Sequence, residues 1–526
     1  MTMRWLGALA LISACGGTQA PPPDGGAVSL VLDIPNGMLD PSGYTTVQIV
    51  LHEPTRDVTR TASVDASGHF DLDRIDPSES VSIEAWLRND SGAAVGYGRT
   101  SVTAALAGGA AITVPVRRPI AYFAGTVNRD AGGDPTSGPM HWSEVPATYL
   151  DLSTGATLDG TTLVGSNAVL MIAAGPSLYV VTQAVMDPNG LLTGPAKLTP
   201  ISSADHAVGT ALSGTTMTGA VLDGAGADDG AQVVVATTAQ LYAIDTASGA
   251  ARSVGDGSFA RVALLTGETG ELAAVAIKGR GATTGACATT AELWWAPLTG
   301  AAAGPGHMVA TGGFSDLATD RGHAYYVDAC KGELGEVTAT AATSLGAIPG
   351  TGTAAGPGAG KPTALAVSNG QAYVGVETPS TGGMAPATAS LLVTSIGGTG
   401  GAMRTLWTEG ARQVLDVKSQ PDVQRQLSAS SVVIQHLEVG AGGDYIALTT
   451  NAHFHGAAIP GLFPEMTIDT EELRVFAAAS GGVIQRYRSW CDGVLINDGS
   501  ELSGWECSAA TGQSAAFDDI YEHHVG

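Results

Sequence analysis

His453 and His455 stand two residues apart in the run TTNAHFHGAA. Side chains on a strand alternate between faces, so both imidazoles would point the same way. Such a pair can begin a zinc site if a third ligand arrives from elsewhere; histidines that line a strand or loop without metal fit the spacing equally well. His523 and His524 lie side by side near the C-terminus. Trp294, Trp295 and Trp142 are of the type that stacks on sugars, and also of the type that fills a strand interface. The acidic stretch from Glu465 to Glu472 reads as a solvated loop, where binding residues often concentrate. Other chemistries find no support: the chain has no GxSxG elbow, no HExxH pair and no CxxC. AGPGAGKPT (355–363) looks like a phosphate loop. However, Ala355 replaces its first glycine, Pro362 follows Lys361, and the next residues read as a strand where a helix is needed.

The N-terminal segment MTMRWLGALALISAC places Arg4 before an apolar run from Trp5 to Ile12, the order of an export signal. The run is far shorter than the ~20 residues that cross a bilayer as a helix. Small residues followed by Cys15 resemble the lipobox of bacterial lipoproteins. The resemblance implies removal of residues 1–14, lipid on the Cys15 thiol, and, since Gly16 and not Asp follows, delivery to the outer membrane of the cell envelope. Residues 15–26 are then a Gly/Pro-rich tether. With Cys15 assigned to lipid, Cys287, Cys330, Cys491 and Cys507 remain. An even number in an oxidising compartment favours two disulfides; three connectivities are open, and the sequence-local pairs Cys287–Cys330 and Cys491–Cys507 are preferred. The formal net charge of −25 offers no basic footprint for nucleic acid. An anionic membrane surface would repel the folded part, so the lipid must be what holds it there.

High glycine and few aromatics in 526 residues suit short strands and tight turns, and the length calls for more than one domain. Over residues 27–118 the runs VSLVLDI, TTVQIVL, TASVDA, HFDLDRI, SVSIEAWL and AAITVPV alternate apolar and polar residues between Asn/Ser/Gly turns, the pattern of a small β-sandwich. VDASGHFDLDRI and SVSIEAWLRNDSGAAVGYG resemble the carboxypeptidase-regulatory-like and transthyretin-like sandwiches of bacterial surface proteins, which implies an accessory domain. From 119 to 490 an aromatic strand, a Gly-containing turn and a second strand recur, as in SLYVVTQ, QLYAIDTASGAARSVG, HAYYVDACKGELGEV and QAYVGVETP. Repeats of this size predict a β-propeller of roughly six to eight blades. QLYAIDTASGA is similar to the repeat of quinoprotein-type and YncE-like propellers. The tail, 491–526, is expected to close the last blade.

LDGAGADDGAQVVVAT (222–237) resembles, in degenerate form, the calcium loop of VCBS/FG-GAP propeller repeats. The resemblance implies Asp223, Asp228 and Asp229 as ligands, although Ala225 and Ala227 stand where further acids are usual and an acidic solvated turn is the plainer alternative. No other cofactor is expected. An all-β, lipid-anchored envelope protein follows, its propeller binding or scaffolding a protein or glycan partner without catalysis. The alternative is a periplasm-facing propeller enzyme of the quinoprotein or lactonase type.

Overall fold

The computed structural model describes residues 28–34, 43–53, 56–63, 69–72, 81–102, 112–126, 144–151, 156–164, 167–183, 185–186, 192–193, 195–203, 207–213, 216–267, 270–279, 290–300, 303–355, 358–381, 386–396, 403–408, 412–417, 420–456, 466–493 and 519–525. The residues expected to form a lipobox and a tether, Cys15 among them, lie outside these residues. Among them there is no α-helix, and none long and apolar enough to cross a membrane.

Two sheets make the N-terminal sandwich. β1 (Val28–Asp33) lies between β4 (His69–Leu72) and β7 (Ile112–Pro115). The second sheet runs β3 (Arg56–Ser63), β2 (Thr46–Glu53), β5 (Val81–Arg88), β6 (Ala94–Val102). Alternation works as read from the sequence on the inner side: Val47, Ile49, Leu51, Val81, Ile83, Ala85 and Leu87 pack on Leu30, Ile112 and Val114. The opposite face carries His52, Glu84 and Trp86, and these are buried too. Something covers that face, and it is the second domain.

Seven successive antiparallel sheets form that domain among the described residues. Their innermost strands are β37 (Asp519–Val525), β11 (Asn167–Ala174), β16 (Val221–Gly226), β20 (Phe259–Thr266), β24 (Phe314–Asp320), β28 (Lys361–Ser368) and β33 (Gln420–Gly440). Each touches the next, and β33 touches β37, so the ring closes. This is a seven-bladed propeller. Blade three is β16, β17 (Gln232–Thr237), β18 (Gln240–Asp245) and β19 (Ala251–Asp256), and blades four to six repeat the pattern. Middle strands such as VVVA and LAAVAI are apolar throughout because each face packs on a neighbouring blade. One cluster joins Val234 and Ala236 to Phe259 and Val262, and another joins Val233 and Val235 to Leu170 and Ile172.

The described end of the tail joins the first blade. β37 pairs with β8 (Ile120–Thr126) and becomes the inner strand of blade one, completed by β9 (Glu144–Asp151) and β10 (Ala156–Val164). A C-terminal strand in the first blade ties the last part of the ring to its beginning. Blade seven departs from the pattern, with β33 paired to β32 (Arg412–Val417) over its first residues and to β34 (Tyr445–Gly456) over the rest.

Inner strands of neighbouring blades share no ladder, so their free amides need other acceptors. Carboxylates supply them. Asp223 accepts from the Val262 N–H at 2.8 Å, Asp316 from Leu365 at 2.7 Å, Asp320 from Gly370 at 2.9 Å, and Glu377 from Ile434 at 2.8 Å. Each bond links one blade to the next.

Candidate functional site: a channel stoppered at one end

Chain direction separates the two faces of the ring. First-to-second-strand turns on one face are short: Gly175–Pro176 in blade two, Arg321–Gly322 in blade five, Asn369–Gly370 in blade six and Ala441–Asp444 in blade seven. The strand ends that flank the longer connections 279–290, 379–387 and 457–465 lie on the opposite face.

The sandwich sits on the short-turn face. Trp86 and Tyr97, tilted rings 5.5 Å apart, pack against Gly442. A Cβ on Gly442 would collide with both rings, and its φ of +62° suits glycine in any case. Arg88 grips Asp444 with both terminal nitrogens, at 2.5 and 3.2 Å, and the Tyr445 hydroxyl donates to the Ala94 carbonyl at 2.6 Å. Arg99 reaches Asp228 of blade three at 3.7 Å. It also feels Asp320 of blade five and Glu84 beside it. One side chain near blades three and five, from a sheet anchored on blade seven, must lie across the ring axis. The sandwich therefore stoppers the channel, and Arg99 stands at its mouth.

Glu84 shows how this end is wired. Its carboxylate accepts from Tyr97 Oη at 2.6 Å and pairs with His52 Nε2 at 2.7 Å. Burial alone would raise its pKa, but the bonds to His52 and Tyr97 and the Arg99 charge outweigh it and hold the carboxyl below its usual range.

Further along the channel the balance reverses. Asp223 on β16, Asp316 on β24 and Glu438 on β33 come from blades three, five and seven, yet Glu438 feels both of the others. Strands that far apart round a ring can interact in this way only across its axis. All three lie deep in the molecule while keeping part of their surface accessible, as expected of groups facing an internal channel. Arg261 answers two of them: its Nε lies 3.3 Å from Asp316 Oδ1, and its charge also acts on Asp223. Burial pushes Asp316 up to about 6 despite Arg261 and the Leu365 amide. Glu438, with burial and the charges of Asp223 and Asp316 all acting in one direction, rises to about 8.

The other residues singled out from sequence fall elsewhere. Asp223, Asp228 and Asp229 are not gathered: Asp223 faces the channel, Asp228 faces Arg99, and Asp229 accepts from the Ala231 amide within its own turn at 2.9 Å. Among the described residues no group of three His, Cys, Asp or Glu side chains is placed to hold a metal. His453 and His455 do share a face of β34, paired in register with Asp469 and Thr467 of β35 (Met466–Ala477). Trp294 is an interblade residue, edge-on to Phe259 at 5.8 Å with Lys278 Nζ 4.5 Å from its ring centre, while Trp295 packs between blades four and five. Trp142, Cys287 and Cys507 lie outside the described residues, as do the side chains of His523, His524 and Cys491. Cys330 is buried and disulfide-bonded. Arg261, Asp316 and Glu438 carried no motif. Arg261 stands in the largely apolar strand FARVALLT, whereas Asp316 and Glu438 share their strands with other polar residues and carry no signal of that kind.

No protein-family model and no curated protein matches the chain. Among solved structures, it is similar to a functionally unknown protein from Desulfotomaculum acetoxidans (13% identity, 70% of this chain and 94% of that one, TM-score 0.40). It is also similar to a periplasmic gluconolactonase of Pseudomonas aeruginosa (12%, 70% and 95%, TM-score 0.32), and to a puromycin hydrolase (13%, 68% and 58%, TM-score 0.39). The propeller assignment rests on the closed ring of strands described above, not on these likenesses.

Proposed function

We propose that this is a lipid-anchored envelope protein that binds a partner through the long-loop face of its propeller, without catalysis. The observation that carries this reading is the asymmetry of the ring. Its short-turn face is occupied by the chain's own sandwich, so the other face, with the longer connections, is left for a ligand. Cys15 and the tether would hold the molecule at the membrane, with Cys287–Cys330 and Cys491–Cys507 as the disulfides. Replacing 379–387 and 457–465 with short Gly-Ser links is expected to abolish capture of an envelope protein or glycan by the immobilised chain, with the melting temperature unchanged. Capture that survives both replacements would overturn the reading. Cys15→Ala is expected to release the protein from the membrane fraction.

One observation favours a second reading, a propeller enzyme. Asp316 and Glu438 are titratable carboxyls with raised pKa values in a cleft, a common mark of proton-transfer sites. Turnover of a lactone panel that disappears in Glu438→Gln would shift the assignment to it.

A further inference from the structure

Among the described residues, two that are not glycine have a positive φ: Arg321 at +48° and Asn369 at +52°. They occupy equivalent places. Each opens the two-residue turn between the inner and second strands of its blade, Arg321–Gly322 in blade five and Asn369–Gly370 in blade six. The glycine that follows is also positive in each, at +80° and +68°. Asn-Gly is a preferred pair for a turn of this kind, because asparagine tolerates the left-handed region. Arginine has no such preference, and the left-handed region is unfavourable for it. A residue persists in that conformation where its surroundings hold it there.

The guanidinium shows what holds it. Arg321 Nη2 donates to Asn369 Oδ1 at 2.5 Å, and Asn369 Nδ2 donates to the Gly442 carbonyl. Asp320, the residue before Arg321, accepts from the Gly370 N–H at 2.9 Å, so blade five grips the blade six turn through two adjacent side chains. The bridge runs on to blade seven, where Trp86 and Tyr97 of the sandwich rest on Gly442. Three successive turns are joined tip to tip, and the last of them is the seat of the stopper. Blades two and three meet differently, backbone to backbone, with Gly175 against Asp229 and Gly230. The blade seven turn has particular need of an outside hold. Gly442 and Gly443 carry no side chains and both have positive φ, and glycine has the most backbone freedom to lose. A hydrogen bond from blade six to the Gly442 carbonyl limits that freedom.

We propose that Arg321 is a positioning residue for the docked sandwich: it sets Asn369, Asn369 fixes the Gly442 carbonyl, and the blade seven turn is thereby held in the shape on which Trp86 and Tyr97 pack. The inference does not depend on what the open face binds. Its consequence is that docking of the sandwich is coupled to blade five, two blades away from Gly442, so that a change confined to the Arg321 turn loosens the stopper.

Urea-dependent hydrogen exchange of the intact chain, read by mass spectrometry, follows each domain separately: peptides over β5 report the sandwich, and peptides over β21 (Leu272–Lys278) report blade four. Arg321→Gly suits the positive φ of the turn and removes the guanidinium. Were Arg321 only shaping its own turn, this substitution would leave the sandwich as well protected as before. The expected result is protection of β5 lowered about tenfold, the size of a coupling between contacting groups, with β21 unchanged. Asn369→Gly also keeps its turn and should reproduce the pattern. Trp86→Ala removes the ring that uses the seat, so adding Arg321→Gly to it should lower protection further by no more than about twofold. β5 protection that survives either glycine substitution, loss shared equally by β5 and β21, or effects of Arg321→Gly and Trp86→Ala that add in full would each overturn the proposal.

Discussion

Glu84 and Glu438 are both glutamates inside one molecule, and their carboxyls move in opposite directions. Glu84, at the sandwich end, receives bonds from Tyr97 and His52 and faces Arg99, so burial is outweighed and the carboxyl stays ionised. Glu438, toward the open end, has burial and two like charges acting together, and is held protonated up to about pH 8. The difference lies in the partners and not in depth. The stoppered end is a finished interface whose acids are answered by cations from another domain. At the open end Arg261 answers Asp316 and Asp223, while Glu438 is left among like charges.

Breaking the finished end should give the largest effect. Gly442→Val puts a side chain into Trp86 and Tyr97 at a positive φ; left-handed strain and overpacking together cost about 2–4 kcal/mol. Calorimetry should show the sandwich melting apart from the propeller, and a single unshifted transition would mean that the docking is not held there. Next comes Glu84→Gln, expected to cost about 2 kcal/mol at pH 7 through its charged hydrogen bonds. A carboxyl with a lowered folded pKa contributes stability above its ordinary range, and that stability disappears as pH falls through the folded value. The Gln variant should therefore show a flatter acid limb below about pH 5. An unchanged acid limb would remove Glu84 from the account of this interface.

The open end should respond with the opposite sign. Between the ordinary carboxylate range and about pH 8 the folded protein holds a proton on Glu438 that the unfolded chain has lost, so this group costs stability as pH rises. Glu438→Gln removes that cost and should stabilise the protein by on the order of 1–2 kcal/mol at pH 8.5, with no gain at pH 4. Denaturant melts at the two pH values read this directly. A variant less stable at pH 8.5 would show that Glu438 has a cationic partner after all.

Much of the architecture is legible in the sequence because it rests on local periodicity. SVSIEAWL alternates, and its Ile83, Ala85 and Leu87 are in the sandwich core; QLYAID and its relatives are blade strands. The same alternation misleads about the outer face, since Glu84, Trp86 and Arg88 read as a solvent side and are a docking row. Ring closure is invisible for a related reason: nothing local in DIYEHHV says that it pairs with Ile120–Thr126, far back in the chain. The channel acids were beyond reach for the same cause. Asp223 drew notice through its neighbours Asp228 and Asp229, yet its companions are Asp316 and Glu438, and only the closed ring brings blades three, five and seven to one axis.

The smallest effect expected is also the sharpest check on the idea that the stoppered end is redundantly paired. Asp228 is half exposed and stands 3.7 Å from Arg99, a geometry in which an ion pair contributes about 0.5 kcal/mol. Arg99 keeps Asp320 and Glu84 when Asp228 is removed. Asp228→Asn should therefore lower stability by about 0.5 kcal/mol at low salt, and the difference should shrink further at 1 M salt, where the screening length falls to about 3 Å. Calcium should not alter the comparison, because Asp223 and Asp229 are engaged separately, by the Val262 and Ala231 amides. A loss above about 2 kcal/mol, persisting in high salt, would make Asp228 the principal anchor of Arg99. The sandwich would then hang on one exposed pair, and the contrast between a finished end and an open end would no longer hold.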